Sequence, residues 1–150
     1  MGKTLGLISC TKSKRNYPCA AKEMYSASEL FRKAYYYCIK NYDYVAILSA
    51  KYGLLLPDEK IDPYDLTPKA MSDSEQMKWA ERVLAQLNDK LPMSGISEVF
   101  FHAGLTYRTN LTEILRSGGI QCIAPLKHLS IGEQMAWYQR KCPRTAFGSP

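Results

Sequence analysis

The sequence predicts an α/β fold: a three-layer, mainly parallel sheet of four to five strands with helices on both faces. Three observations predict it. Short, continuous apolar runs recur along the chain, as strands buried on both sides require. Apolar residues at helical spacing fill the stretches between those runs. Strand and helix signals alternate one for one, which within a single sheet means parallel crossover connections.

The first run, residues 4–10, is a strand and gives way to a basic, hydroxyl-rich loop over residues 11–19. Ser26 or Ser28 caps the helix that follows, and Ser26 has Glu29 at capping-box spacing. Leu30, Phe31, Ala34, Tyr35, Cys38 and Ile39 form its apolar stripe. Residues 44–49 are the second strand. Residues 49–65 then pass without predicted secondary structure: Gly53 permits a tight bend, and Pro57 and Pro63 bar helix. A structured loop of that length is a functional candidate.

Thr67-Pro68, or more strongly Ser72 with Glu75, starts the second helix. Its apolar face runs from Met77 to Leu91, with Trp79 packed, and Pro92 stops it. Residues 96–102 are the third strand, broken at Ala103-Gly104, and the next helix is closed by Gly118-Gly119. Residues 120–124 are the fourth strand. Their exit loop, residues 125–130, ends at Ser130, which forms a capping box with Glu133 on the last helix. Residues 1–143 read as one α/β domain and residues 144–150 as a disordered tail.

The formal charge of +6 is unevenly spread. Lys3, Lys12, Lys14, Arg15 and Lys22 precede the first acidic residue, so the start of the chain attracts phosphates. Five cysteines with no C-x-x-C pair predict reduced thiols and a cytoplasmic protein. No apolar run reaches membrane-span length, so no membrane partner is expected. No ligand spacing fits a metal and no motif fits a cofactor, so neither is expected. The sequence sets no subunit number.

The four strand exits converge on one edge of a parallel sheet, where open α/β sheets bind ligands. Their inventory suits a nucleic acid or nucleotide. Lys12, Lys14 and Arg15, preceded by Ser9 and Cys10, form a phosphate-holding loop, though neither G-x-x-x-x-G-K nor G-x-G-x-x-G is present. Ser49, Lys51 and Tyr52 face base or sugar, Tyr64 stacks, and Asp65, with Asp62 nearby, orients water or steadies a cationic sugar. Gly104, Tyr107 and Arg108 close the opposite wall. Asp65, Lys51 and Tyr52 are thus the catalytic candidates for hydrolysis of an N-glycosidic bond, which requires an extruded or single-stranded base. Each residue also has a plainer reading: Asp65 as a turn residue, Lys51 as a solvated cation, the tyrosines as packing. Cys10 with His102 or His128 would make a nucleophile–base pair, but a small buried Cys is the commoner outcome.

Several blocks resemble a family of small uncharacterised bacterial and phage proteins: Ile8-Ser-Cys-Thr-Lys-Ser-Lys14, Met24-Tyr-Ser26 with Phe31, Ile47-Leu-Ser-Ala-Lys-Tyr-Gly-Leu54, Pro57, Ile61-Asp-Pro-Tyr-Asp65, Gly104 with Tyr107, and Pro125-Leu126 with Gly132. The Leu-Ser-Ala-Lys-Tyr-Gly-Leu block is also similar to YaaA-type peroxide-stress proteins, a likeness that implies DNA binding. The Ser9-Cys10-x-Lys12 opening resembles the uracil-DNA-glycosylase-like domain of archaeal tRNA base-modification enzymes, which implies a Rossmann-like, glycosylase-like fold. The helix-hairpin-helix portion of the first group and the His-Pro-Ser loop of the glycosylases have no counterpart here. The expected function is therefore a nucleobase- or nucleotide-processing protein, an N-glycosidic-bond hydrolase. The alternatives are a non-catalytic DNA- or RNA-binding protein of stress response or phage–host conflict, and a small nucleotide sensor.

Overall fold

A computed structural model describes residues 2–65 and 71–142. The chain folds around a five-stranded, mostly parallel sheet with helices packed against it. The central strand β1 (Lys3–Ser9) pairs in parallel with β3 (Tyr44–Ser49) on one side and β6 (Ile96–His102) on the other. Strand β7 (Gln121–Ile123) extends the β6 side in parallel, and β4 (Gly53–Leu55) closes the β3 side antiparallel. The four parallel strands consequently end at one edge.

Alternation along the strands sorts the core. Leu5 and Leu7 of β1 join Ala46 and Leu48 of β3 in a cluster with Trp79, Val83 and Leu87 of α3 (Asp73–Lys90) and Leu111 and Leu115 of α4 (Leu105–Ser117). Ile8 and Ile47 join a second cluster with Phe31, Ala34 and Cys38 of α2 (Glu29–Asn41) and Tyr138 of α5 (Ile131–Lys141). Gly6 belongs to the strand run for a steric reason: a Cβ there would strike the Tyr42 ring.

The expectation of an unstructured segment at residues 49–65 is overturned. Gly53, at φ 77°, turns the chain back, and β4 pairs with β3. Helix α3 completes this edge strand, since Gln86 Oε1 accepts from Leu54 N at 2.8 Å and Lys90 Nζ donates to Leu54 O at 2.9 Å. Side chains thus supply the hydrogen bonds that an open edge would leave to another chain. Further on, β5 (Lys60–Ile61) pairs antiparallel with β2 (Cys19–Ala20), which precedes the four-residue helix α1 (Ala21–Met24). The Lys22–Asp58 ion pair at 2.8 Å joins the same two segments. Both ribbon strands are too short to leave a sequence pattern.

Of the two serines offered as cap for α2, Ser28 does it, accepting from Phe31 N at 3.2 Å. Ser26 instead donates to Glu23 O at 2.7 Å, which corrects the expected Ser26–Glu29 box. The Ser72–Glu75 and Ser130–Glu133 boxes both form, and Trp79 is buried. Thr67-Pro68 and the tail at residues 144–150 lie outside the described residues. Among the described residues, no helix is long and apolar enough to cross a membrane.

Candidate functional site

Two polar regions occupy the edge where the parallel strands end. One is a cleft of about 330 Å³ at the ends of β1 and β6. Its apolar floor includes Ile8, Phe31 and Leu126, Ser9 and Thr11 rise from the exit of β1, and Arg108, Lys127 and His128 supply its basic groups. No Asp or Glu is among its described lining residues. Gly104 caps α4 without a side chain, and a Cβ there would meet only open space. The first N–H groups of α4 have no partner within the helix and carry the positive end of its dipole. Arg108 lies in the next turn, anchored by Nε donation to Ala103 O at 3.1 Å. His128 takes a left-handed φ of 75° in the turn after β7, a conformation His enters more readily than most side chains.

The wall of the cleft includes His102, the last residue of β6, and Tyr138 of α5. His102 Nε2 lies 2.7 Å from the Tyr42 hydroxyl and Nδ1 lies 2.7 Å from the Tyr138 hydroxyl. Burial lowers the imidazole pKa to about 4, so the ring is neutral at physiological pH.

The second region is a tyrosine network beyond β3. The Tyr64 hydroxyl lies 2.7 Å from Ser49 Oγ and 2.5 Å from the Tyr25 hydroxyl. Ser49 Oγ also accepts from Tyr52 N at 3.1 Å, and the Ser49 carbonyl accepts from Trp79 Nε1 at 2.8 Å. The Tyr52 hydroxyl donates to Asp62 O at 3.2 Å, fastening the two ends of the loop. Cys10 Sγ meets the Tyr107 hydroxyl at 2.8 Å. Burial pushes the hydroxyls of Tyr25, Tyr64 and Tyr107 well above the ordinary tyrosine value, so all three stay neutral.

The residues singled out from sequence divide between these regions. Ser9, Gly104 and Arg108 line the cleft. Cys10, Ser49, Tyr52, Tyr64 and Tyr107 belong to the network, and Lys14 joins it with Nζ 4.6 Å from the Tyr64 ring centre. Arg15 turns to Ser26 Oγ at 3.1 Å, while Lys12 is exposed. Lys51 and Asp65 are exposed and do not line the cleft. Lys51 sits with Nζ 5.3 Å from the Tyr52 ring centre. The considered pairing of Cys10 with His102 is corrected, because both His102 nitrogens face tyrosine hydroxyls and the thiol faces Tyr107.

Sequence reasoning placed Thr11 and Lys127 in the converging strand exits without singling them out, and missed Gln134 and Tyr138 as cleft residues. Lys127 was discoverable, since it lies in a strand exit. Tyr138 reads only as an apolar helix position, and its contact with His102 spans 36 residues. Among the described residues, no group of three or more His, Cys, Asp or Glu is placed to hold a metal ion.

Residues 5–140 match the model of a family of unknown function, DUF6884. No curated protein and no solved structure matches the chain. The chain belongs to the DUF6884 family.

Proposed function

We propose that this protein, a member of a family of unknown function, binds a nucleotide or a nucleic-acid strand in the β1/β6 cleft and processes its nucleobase. Hydrolysis of an N-glycosidic bond is the reaction proposed. The observation that carries the reading is the cleft itself: a cavity of about 330 Å³ with an apolar floor, three basic side chains and no described carboxylate in its lining. Phosphate oxygens suit Arg108, Lys127 and the start of α4, and a base suits the Phe31 and Leu126 floor. The volume is in the range of small-ligand sites. Its place supports the same reading. Strand order reverses between β1 and β6, and open α/β sheets bind ligands at such a crevice. The finer proposal for the architecture is a three-layer, Rossmann-like and glycosylase-like sheet, which the parallel β3-β1-β6-β7 order supports. Free thiols at all five cysteines agree with a cytoplasmic setting.

In this reading the carboxylate that directs water is Asp65, which is exposed and outside the cleft lining, so the substrate must reach from the cleft to that loop; Lys51 and Tyr52 are the further candidates there. The lack of a described carboxylate in the cleft favours a second reading, in which the protein binds without catalysis. One experiment separates them. The protein is incubated with nucleosides, mononucleotides and single-stranded DNA and RNA carrying modified bases, and released base is followed by mass spectrometry. Released base that is lost in Asp65→Asn and Lys51→Ala supports hydrolysis. Salt-sensitive retention of nucleic acid without product supports the binding protein. Thermal stabilisation by a mononucleotide alone supports a sensor. If neither binding nor base release is observed, the proposal is overturned.

A further inference from the structure

The Tyr42–His102–Tyr138 chain holds more protons than the two hydrogen bonds at His102 need. A neutral imidazole carries one N–H, and each tyrosine carries one O–H. Three protons therefore serve two hydrogen bonds, each 2.7 Å long. One proton remains, and the His102 tautomer decides which tyrosine keeps it.

In one arrangement Tyr42 donates to Nε2, the ring donates from Nδ1 to Tyr138, and Tyr138 retains a free O–H. In the other, Tyr138 donates to Nδ1 and Tyr42 keeps the spare proton. The two tyrosines differ in where that proton can go. Tyr138 lines the cleft. Tyr42 does not: its ring stacks on Phe100 at 4.6 Å between centres, and its hydroxyl interacts with that of Tyr37, which can accept the spare proton inside the protein. Arg108, Lys127 and the start of α4 already make the cleft a place for ligand oxygens. A tyrosine offering only lone pairs would oppose such a ligand, whereas one offering its proton joins the same set of donors.

We propose that His102 is a positioning residue that holds Tyr138 as a hydrogen-bond donor to an acceptor oxygen of the ligand in the cleft, with the occupied state in the Nδ1–H tautomer. This rests on the cleft being the ligand site, as proposed above. The acceptor is an oxygen of either a phosphate or a base carbonyl. Tyr42 acts at one remove, by keeping its proton on Nε2 and thereby fixing the tautomer.

The test uses four probes: uridine 5′-monophosphate, uridine, ribose 5-phosphate and inorganic phosphate. Affinities are measured by calorimetry for the wild type, Arg108→Ala, Tyr138→Phe, Tyr42→Phe and the double tyrosine variant. Tautomers are read from long-range ¹H–¹⁵N correlations, which two histidines keep simple to assign. In the nucleotide-saturated protein His102 should carry its proton on Nδ1. Tyr138→Phe should weaken nucleotide binding about tenfold, the equivalent of one hydrogen bond to a charged or strongly polar acceptor. Tyr42→Phe should weaken it as well, although Tyr42 does not line the cleft, and the double variant should lose no more than Tyr138→Phe alone. Simple packing damage would instead give additive losses. If the Tyr138→Phe loss persists with ribose 5-phosphate, the acceptor is a phosphate oxygen; if it persists with uridine, it is the carbonyl. The proposal is overturned if Tyr138→Phe stays within twofold of the wild type, or if the occupied protein carries its proton on Nε2. A nucleotide whose affinity is unchanged by Arg108→Ala, or the failure of all four probes to bind, overturns the cleft reading itself and this proposal with it.

Discussion

The exits of β3 and β6 are both polar, but they differ in how far their polar groups are already satisfied. Beyond β3, the hydroxyls of Ser49, Tyr64, Tyr25 and Tyr52 bond to one another or to the backbone. Beyond β6, α4 starts at a glycine with no side-chain cap, and Arg108 is tied only through Nε among the described residues. The first region holds the fold together. The second leaves part of Arg108 unpaired among the described residues, in the lining of an open cleft. Polar density at a strand end therefore does not locate a ligand site; unspent hydrogen-bonding capacity does.

The sharpest way to break this comparison is to remove the cleft's central cation. Arg108→Ala should weaken binding of uridine 5′-monophosphate by about 10- to 100-fold, since a charge-assisted hydrogen bond contributes roughly 1.5–3 kcal/mol. Calorimetry checks it. An unchanged affinity would remove the distinction between the two regions.

The pH dependence of stability sharpens the comparison next. His102 has a pKa of about 4 when folded, well below its ordinary value, because burial penalises the charged ring. The unfolded chain therefore binds a proton that the folded chain refuses, and stability falls as pH drops below about 6.5. The loss is complete only when pH passes below the folded value of about 4. Between pH 7 and pH 5 the expected loss is about 2 kcal/mol from this group. Glu75 and Glu133, held below the usual carboxylate range by the N–H and hydroxyl groups of their capping serines, weaken the fold only at lower pH. Urea unfolding at both pH values measures the loss, and His102→Gln should flatten it. A profile unaffected by that substitution would mean that burial of His102 does not control it. The tyrosines beyond β3 contribute nothing in this window, because burial raises their values.

Much of the architecture was legible from sequence, for a physical reason. Strands such as Ile96–His102 and helices such as Asp73–Lys90 leave a continuous or periodic apolar pattern, and the Ser72–Glu75 and Ser130–Glu133 boxes are local. The ribbon of Cys19–Ala20 and Lys60–Ile61 was not legible, because two residues carry no period. The convergence of strand exits pointed to the edge that carries the cleft, but not to which exit remains open there. Tyr64 and Lys51 drew attention by their residue types and their place in an unusual loop. Whether a hydroxyl is already bonded depends on partners 15 and 39 residues away, Ser49 and Tyr25, which no local pattern encodes.

The tyrosine network makes the next prediction. Tyr64→Phe keeps the ring but leaves Ser49 Oγ and the Tyr25 hydroxyl without that partner, inside the protein. The cost should be about 1–3 kcal/mol in urea unfolding, the range for leaving buried polar groups unsatisfied. A variant as stable as the wild type would show that this region is not a structural network.

Tyr52→Phe should have the smallest effect, and its location matters more than its size. The lost hydroxyl ties the backbone of Asp62, an exposed residue, so water can replace the bond. The phenylalanine ring still meets Tyr64 edge-on, at the 5.4 Å the tyrosine ring now has. Both bonds of the lost hydroxyl to the Asp62 backbone, at 3.2 and 3.3 Å, are long and open to water, so global stability should fall by only about 0.5–1.5 kcal/mol in all. The local effect should be clearer. The Asp62 amide, now 3.3 Å from the Tyr52 hydroxyl, should exchange with solvent faster. Amides of β1 and β3 should exchange no faster than the global change allows. Faster exchange confined to Asp62 and its neighbours makes Tyr52 a fastener of the loop. Faster exchange around Gly104 and Arg108 as well would couple the two regions, and the cleft could then no longer be treated apart from the network beside it.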